Sequence, residues 1–145
     1  MFEFDLKVKL ETTDIKLPTR ANHDDAGMDV YSPIDVDILP RGDSLISLGF
    51  SVEFPKGYAL IFKEKSGRAT KNKLDVGACV VDAGYRGIVH AHLINNSDNV
   101  VSIKKGEKIS QFLIVPVWQG NCIEVANITN DTTRGSGGFG STGTK

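Results

Sequence analysis

Asp82 ends an apolar run, Val76 to Val81, and is followed by Ala83, Gly84 and Tyr85. A carboxylate at a strand end beside a turn suits a general base, because a rigid element holds its aim. The same pattern also describes an Asp that merely caps its turn. Three further segments favour phosphate or metal. Ala26-Gly27-Met28-Asp29 sets a carboxylate just after a glycine turn, and Lys65-Ser66-Gly67-Arg68 offers two cations, a hydroxyl and a permissive backbone. Gly106 to Gln111 ends in an amide that can donate to an oxygen. Each is a common surface-loop sequence alone. Their sum in one small domain points to an oxygen-rich anion.

The last twelve residues, Arg134 to Lys145, carry five glycines and four hydroxyls together with Arg134, Phe139 and Lys145. Glycine loses the most backbone freedom on ordering, and one Phe cannot offset that, so this segment does not fold alone. Its backbone N–H groups, hydroxyls and guanidinium suit the wrapping of a polyanion, and its ring could cover a flat group. A solvated terminus is the plainer alternative. Gly135, Gly137 and Gly140 fit G-x-G-x-x-G, but no helix can follow so near the end of this sequence to hold a pyrophosphate. Thr144-Lys145 likewise reverses the order that a P-loop requires.

The elements that must position these groups are strands. Phe2, Phe4, Leu6, Val8 and Leu10 alternate with charged residues, and Leu48, Phe50, Val52 and Phe54 repeat the period of two. Tyr58 to Phe62, Val76 to Val81, Ile88 to Ile94, Val100 to Ile103 and Phe112 to Val117 read as further strands. Turns are expected at Pro40 to Gly42, Pro55 to Gly57, Asp82 to Gly84, Asn95 to Asn99 and Lys104 to Gly106. Only Ser66 to Leu74 could form a short helix. Many short strands between Gly, Pro and Asn turns predict an all-β sandwich or barrel. A chain of 145 residues is expected to be one domain. Residues 1–133 form the packed body and 134–145 a mobile glycine-rich tail.

With 40% hydrophobic and 24% charged residues, the chain has the composition of a soluble globular protein. A net charge of −1 argues against a nucleic-acid surface as the main partner. No stretch approaches the ~20 apolar residues of a membrane span, and the N-terminus lacks a signal peptide's apolar block. Cys79 and Cys122 lack metal-like spacing and read as buried, reduced thiols rather than a disulfide. The sequons at Asn95, Asn127 and Asn130 carry no weight without an export signal, and a cytoplasmic protein is expected.

Five segments in order, AGMDVYS at 26–32, KSGRA at 65–69, VGACVVDAGYRG at 76–87, GEKISQ at 106–111 and RGSGGFGSTG at 134–143, resemble the trimeric, all-β deoxyuridine triphosphate nucleotidohydrolases, the dUTPases. The third and fifth are highly specific. The resemblance implies a distorted β-barrel or jelly roll of the β-clip type and Mg²⁺-dependent hydrolysis of dUTP to dUMP and pyrophosphate. That reaction keeps uracil out of DNA and supplies dUMP for thymidylate synthesis. It also implies the roles. Asp82 would hold the water that attacks the α-phosphorus. Main-chain groups around Cys79 and Val81 would read uracil, and Tyr85 would stack beneath the deoxyribose. Asp29 would reach Mg²⁺ through water, while Lys65, Ser66, Gly67 and Gln111 would contact the phosphates. Phe139 would lie over the uracil, Arg134 would brace the tail and meet phosphate, and Gly140, Ser141 and Thr142 would bind the γ-phosphate. Lys65 stands where the family has Arg, and so brings a point charge without the bidentate fork. A homotrimer with shared sites is implied too, without stable nucleic-acid or membrane binding. The rivals are a dCTP deaminase-type enzyme on the same fold, which would activate water with a Glu, and a catalytically silent dUTP-binding protein.

Overall fold

The computed structural model describes residues 4–138. Phe139, Gly140, Ser141 and Thr142 therefore lie outside the described residues. The chain forms β1 (Lys7–Leu10), β2 (Met28–Tyr31), β3 (Val36–Ile38), β4 (Asp43–Ser47), β5 (Phe50–Glu53), β6 (Tyr58–Lys63), α1 (Ser66–Asn72), β7 (Leu74–Gly77), β8 (Val80–Asp82), β9 (His90–Asn95), β10 (Val101–Ile103) and β11 (Lys108–Pro116). It is an all-β fold with one short helix, as expected. Every strand pairing is antiparallel. A four-stranded sheet runs β2-β11-β6-β8 and a three-stranded sheet β4-β9-β7, with β1-β5 and β10-β3 as two-stranded ribbons.

Alternation explains the core. Along β9 the odd residues Ala91, Leu93 and Asn95 are buried, while His90, His92 and Ile94 are only half-buried. Ile46, Leu48, Phe50, Leu60, Phe62, Ile109 and Phe112 complete a single apolar cluster between the sheets. Phe62 and Phe112, directly opposite on β6 and β11, meet edge to face with ring centroids 6.0 Å apart. That geometry adds to the area that each ring buries. Asn95 is the polar exception. Its amide donates to the carbonyls of Ile38, Leu39 and Asn99 at 2.8–3.0 Å, which organises the expected 95–99 turn from within. A sequon whose Asn is fully buried offers nothing to a modifying enzyme.

Several elements differ from the sequence reading. Phe2 lies outside the described residues, and among those described the N-terminal strand pairs from Lys7. Met28–Tyr31, Val36–Ile38 and Asp43–Ser47 are strands that the apolar period does not reveal, because β2 buries an Asp and β4 alternates through polar residues. The expected strand Val76 to Val81 is broken at Ala78, whose φ of +44° turns the chain out of one sheet and into the other. The last strand begins at Lys108, so Gln111 stands on β11 rather than in a turn. The helix stops at Asn72, because Lys73 adopts a left-handed φ of 53° and its N–H bonds the Arg68 carbonyl. Both cysteines are free, as expected, but Cys79 is only half-buried and Cys122 is exposed, where buried thiols are expected from the sequence. Beyond Pro116 the described chain forms no further strand, and Trp118, Ile123 and Ile128 are highly exposed.

The Phe62–Phe112 contact holds the two central strands of the larger sheet against the core. Phe112→Ala is expected to lower the unfolding free energy by about 3–5 kcal/mol. Urea denaturation measures this, and a loss below about 1 kcal/mol would deny the contact that role.

Candidate active site

Sequence position and register divide the functional residues into two recesses. The first lies where β7 and β8 part. These consecutive strands belong to different sheets, and each is an edge strand. Ala78, Val80, Val81, Asp82, Tyr85 and His90 line the opening between them. The Phe62 N–H donates to the Cys79 carbonyl at 2.7 Å. In an antiparallel ladder the bonding direction alternates, so Val81 also turns its main-chain groups to β6. Those of Val80 and Asp82 point outward. The Cys79 carbonyl and the Val81 main chain are thus spent on the sheet, which leaves the main chain of Val80 and the N–H of Asp82 turned outward, the Asp82 carbonyl being taken by Tyr85. A hydrophobic run cannot reveal that distinction, because it depends on register.

Asp82 closes β8, and its carbonyl accepts the Tyr85 N–H at 3.0 Å, which makes the tight turn foreseen from Asp82-Ala83-Gly84. The Tyr85 hydroxyl donates to the Ile88 carbonyl at 2.9 Å. Its ring lies against Gly87 so closely that a Cβ there would collide with the ring and hydroxyl. An exposed aromatic plate is thereby clamped at both ends beside an exposed carboxylate.

The second recess is lined by Ala21, Asp25, Gly27, Asp29, Lys65, Ser66 and Gln111. Asp29 sits on β2 directly opposite Gln111 on β11, which in turn opposes Lys63 on β6. Only 4% of Asp29 is exposed. One carboxylate oxygen receives the Lys65 ammonium at 2.6 Å and the other the Lys108 ammonium at 2.6 Å. Burial alone would raise the Asp29 pKa. Hydrogen bonds from Lys108 and Lys65 outweigh that burial and hold it below the usual carboxylate range. The Lys108 pKa is raised chiefly by its hydrogen bond to Asp29. The Gln111 amide donates to the Glu64 carbonyl at 2.8 Å. Its oxygen approaches Gly27 so closely that any side chain there would displace it. Lys108 escapes a reading of the sequence because its motif reads as a surface turn. Its place on a strand facing Asp29 is what gives it a role.

Ser66 lines this recess, whereas Gly67 lies at its outer flank. Arg134 lines neither recess. It occupies an exposed turn, where its guanidinium donates to the Gly137 carbonyl at 2.9 Å. Asp82 and Asp29 are separated by three interstrand steps and four residues of strand, on the order of 20 Å. The two recesses share no lining residue.

Fold and site together define an all-β domain with a divided site suited to a flat group joined to a polyanion. The dUTPase family model matches residues 13–143. The chain is 41% identical over 145 residues to the deoxyuridine 5'-triphosphate nucleotidohydrolase of Clostridium tetani, with 99% of each chain covered. It is 35% identical to the Saccharomyces cerevisiae protein of the same name, covering 95% of this chain and 94% of the yeast one. A solved structure of a Staphylococcus bacteriophage 80alpha dUTPase mutant with dUpNHpp superposes with a TM-score of 0.89 at 28% identity, covering 96% of this chain and 98% of that one. The chain belongs to the dUTPase family.

Asp29→Asn should separate charge from shape in the second recess. The depressed carboxyl contributes stability above its unfolded pKa, ~3.9, and loses it as pH falls through the lower folded value. The variant should be less stable than wild type at pH 7 by about 1–3 kcal/mol, discounted for the partly exposed lysines. The gap should close as pH falls below the usual carboxylate range and the wild-type carboxyl protonates. Denaturation curves across that range check this, and a gap independent of pH would contradict the charge account.

Proposed function

We propose that this protein hydrolyses dUTP to dUMP and pyrophosphate, with Asp82 activating the water that attacks the α-phosphorus. The observation that carries the reading is the first recess, where a carboxylate at a rigid strand end stands beside a clamped aromatic plate and the outward main chain of β8. The outward N–H and C=O of Val80, with the outward N–H of Asp82, can pair with a pyrimidine edge as another base would. Uracil presents an acceptor at O4 where cytosine presents a donor, so cytosine would leave a buried group unpaired. Tyr85 supports the deoxyribose and leaves no room for a 2′-hydroxyl. Asp82 takes the proton of the attacking water. The water oxygen bonds to the α-phosphorus, the bond to the bridging oxygen breaks, and pyrophosphate departs.

Lys65, Ser66, Gly67 and Gln111 hold the phosphate chain. Among the described residues no group of three His, Cys, Asp or Glu gathers into a metal cage. A single buried carboxylate, each of whose oxygens keeps a further lone pair, instead fits Mg²⁺ carried by substrate phosphates and reached from Asp29 through water. When bound, the ion would neutralise charge developing on the phosphates. Arg134, Phe139, Gly140, Ser141 and Thr142 form the segment that closes over the nucleotide. The enzyme acts on the cytoplasmic nucleotide pool.

The attacked phosphorus and the phosphates beyond it are bonded neighbours, yet in one chain the recesses are on the order of 20 Å apart. A complete site therefore sets Asp82 of one copy against the Asp29–Gln111 recess of another, and a homotrimer with three such borders is the assembly proposed.

Two experiments test this reading. Asp82→Asn should lower single-turnover hydrolysis of dUTP by about 10²–10⁴-fold while nucleotide binding persists. Near-wild-type rates would remove Asp82 from the chemistry. Asp82→Asn and Gln111→Ala chains, each nearly inactive, should regain about a quarter of the wild-type sites when refolded together in equal amounts, because each site draws on two copies. Absence of recovery would show that each copy's site is self-contained.

A further inference from the structure

Beside the phosphate recess, and separated from it by the Lys65 side chain, lies a cavity of about 260 Å³ lined by Lys65, Gly67, Arg68, Lys71, Asn72 and Lys108. Four of these six residues are cations. Two acids face them. Asp29 is shared between Lys65 and Lys108, and Glu107 accepts from Arg68 at 3.0 Å. Against these two paired carboxylates the excess is two positive charges, which Asp25, acting on Lys108 from further off, reduces.

Arg68 is held in place. Only 20% of its side chain is exposed, and its Nε also donates to the Lys108 carbonyl at 3.1 Å. Lys71 is exposed and makes no ion pair among the described residues. A lysine in the last turn of α1 also suits the dipole of a helix end. That accounts for Lys71 alone and not for its convergence with three other cations on one cavity.

We propose that this recess binds a second, free inorganic polyphosphate of the pyrophosphate class alongside the substrate's phosphate pocket. The inference rests on the reading above in one respect, that the nucleotide's phosphates occupy the Asp29–Gln111 recess. Lys65 lines both recesses, so a leaving pyrophosphate meets a cationic surface one side chain away from where its bond breaks. Lys71 and Arg68 then supply charge that the nucleotide itself does not use. Accumulated pyrophosphate would occupy the recess and hinder release of the next one, which makes turnover sensitive to its own product.

The test is a calorimetric titration of inorganic pyrophosphate into full-length protein saturated with the non-hydrolysable analogue dUpNHpp, without Mg²⁺, so that the substrate's own phosphate recess is filled before pyrophosphate is added. Pyrophosphate should bind one per chain, and Lys71→Glu should weaken it at least about fivefold, since charge-assisted hydrogen bonds are lost. Lys71→Arg should retain it. The KM for dUTP should stay within about twofold of wild type in both variants, because uniform substrate binding is untouched. The proposal is overturned if pyrophosphate does not bind, if Lys71→Glu leaves its affinity unchanged, or if KM rises in step with the lost affinity. That last outcome would make the recess part of the substrate's own site. A preliminary titration of dUpNHpp keeps the readings apart. Failure of the analogue to bind would count against the nucleotide reading, whereas pyrophosphate affinity that depends on Lys71 would still support the recess.

Discussion

A buried carboxylate between two ammonium groups organises the larger sheet. Asp29 on β2, Lys108 on β11 and Lys65 after β6 come from segments far apart in sequence, and each would be poorly placed without the others. An unpaired carboxylate that is 4% exposed would be strongly unfavourable, so β2 can carry Asp29 only if both lysines arrive. The same constraint fixes the recess proposed to hold the phosphates. Lys65 is anchored by Asp29, Ser66 follows it, and Gln111 is held opposite Asp29 by strand register. A structural ion cluster and a binding surface are here one set of atoms.

The first recess depends on a different constraint, the departure of β7 and β8 into separate sheets. A continuous strand through Ala78 would have paired with one neighbour and offered no free edge. The positive φ at Ala78 opens the backbone, and the clamp of Tyr85 on Gly87 gives that opening a floor. Here the useful groups are main chain, so the identity of the side chain at Cys79 matters less than which way its carbonyl turns.

Much of this was legible in the chain itself. Asp82 at a strand end and the turn leading to Tyr85 follow from residue type and order, and the same reading singles out the segments of Asp29, Lys65 and Gln111, which line one recess. What stayed hidden follows from the physics of period and register. β2 contains a charged residue at a fully buried position, so an apolar-alternation test passes over it. Lys108 looks like a solvated turn cation until β11 is extended back to it. Val80 and Asp82 can be told from Cys79 and Val81 only by which of them bond to β6. The spatial division of the site is invisible to a linear reading, since motifs adjacent in order of function are opposite ends of one sheet.

The charge distribution explains how a polyanion can be drawn to a chain whose net charge is −1. At physiological ionic strength fields decay over about 8 Å, so whole-molecule charge matters little beyond the surface and the local groups decide. Asp29 neutralises one of its two lysines and Asp25 in the recess lining offsets the other, so the recess attracts through aimed donors rather than through net charge. Incoming phosphate need not break the ion pairs to gain from them, because an ammonium has three donors and each lysine spends one on Asp29. The carboxylate therefore works as a fixed point that aims two cations. Removing its charge while keeping its shape would free those cations to follow solvent, and the order imposed on the phosphates would go with it.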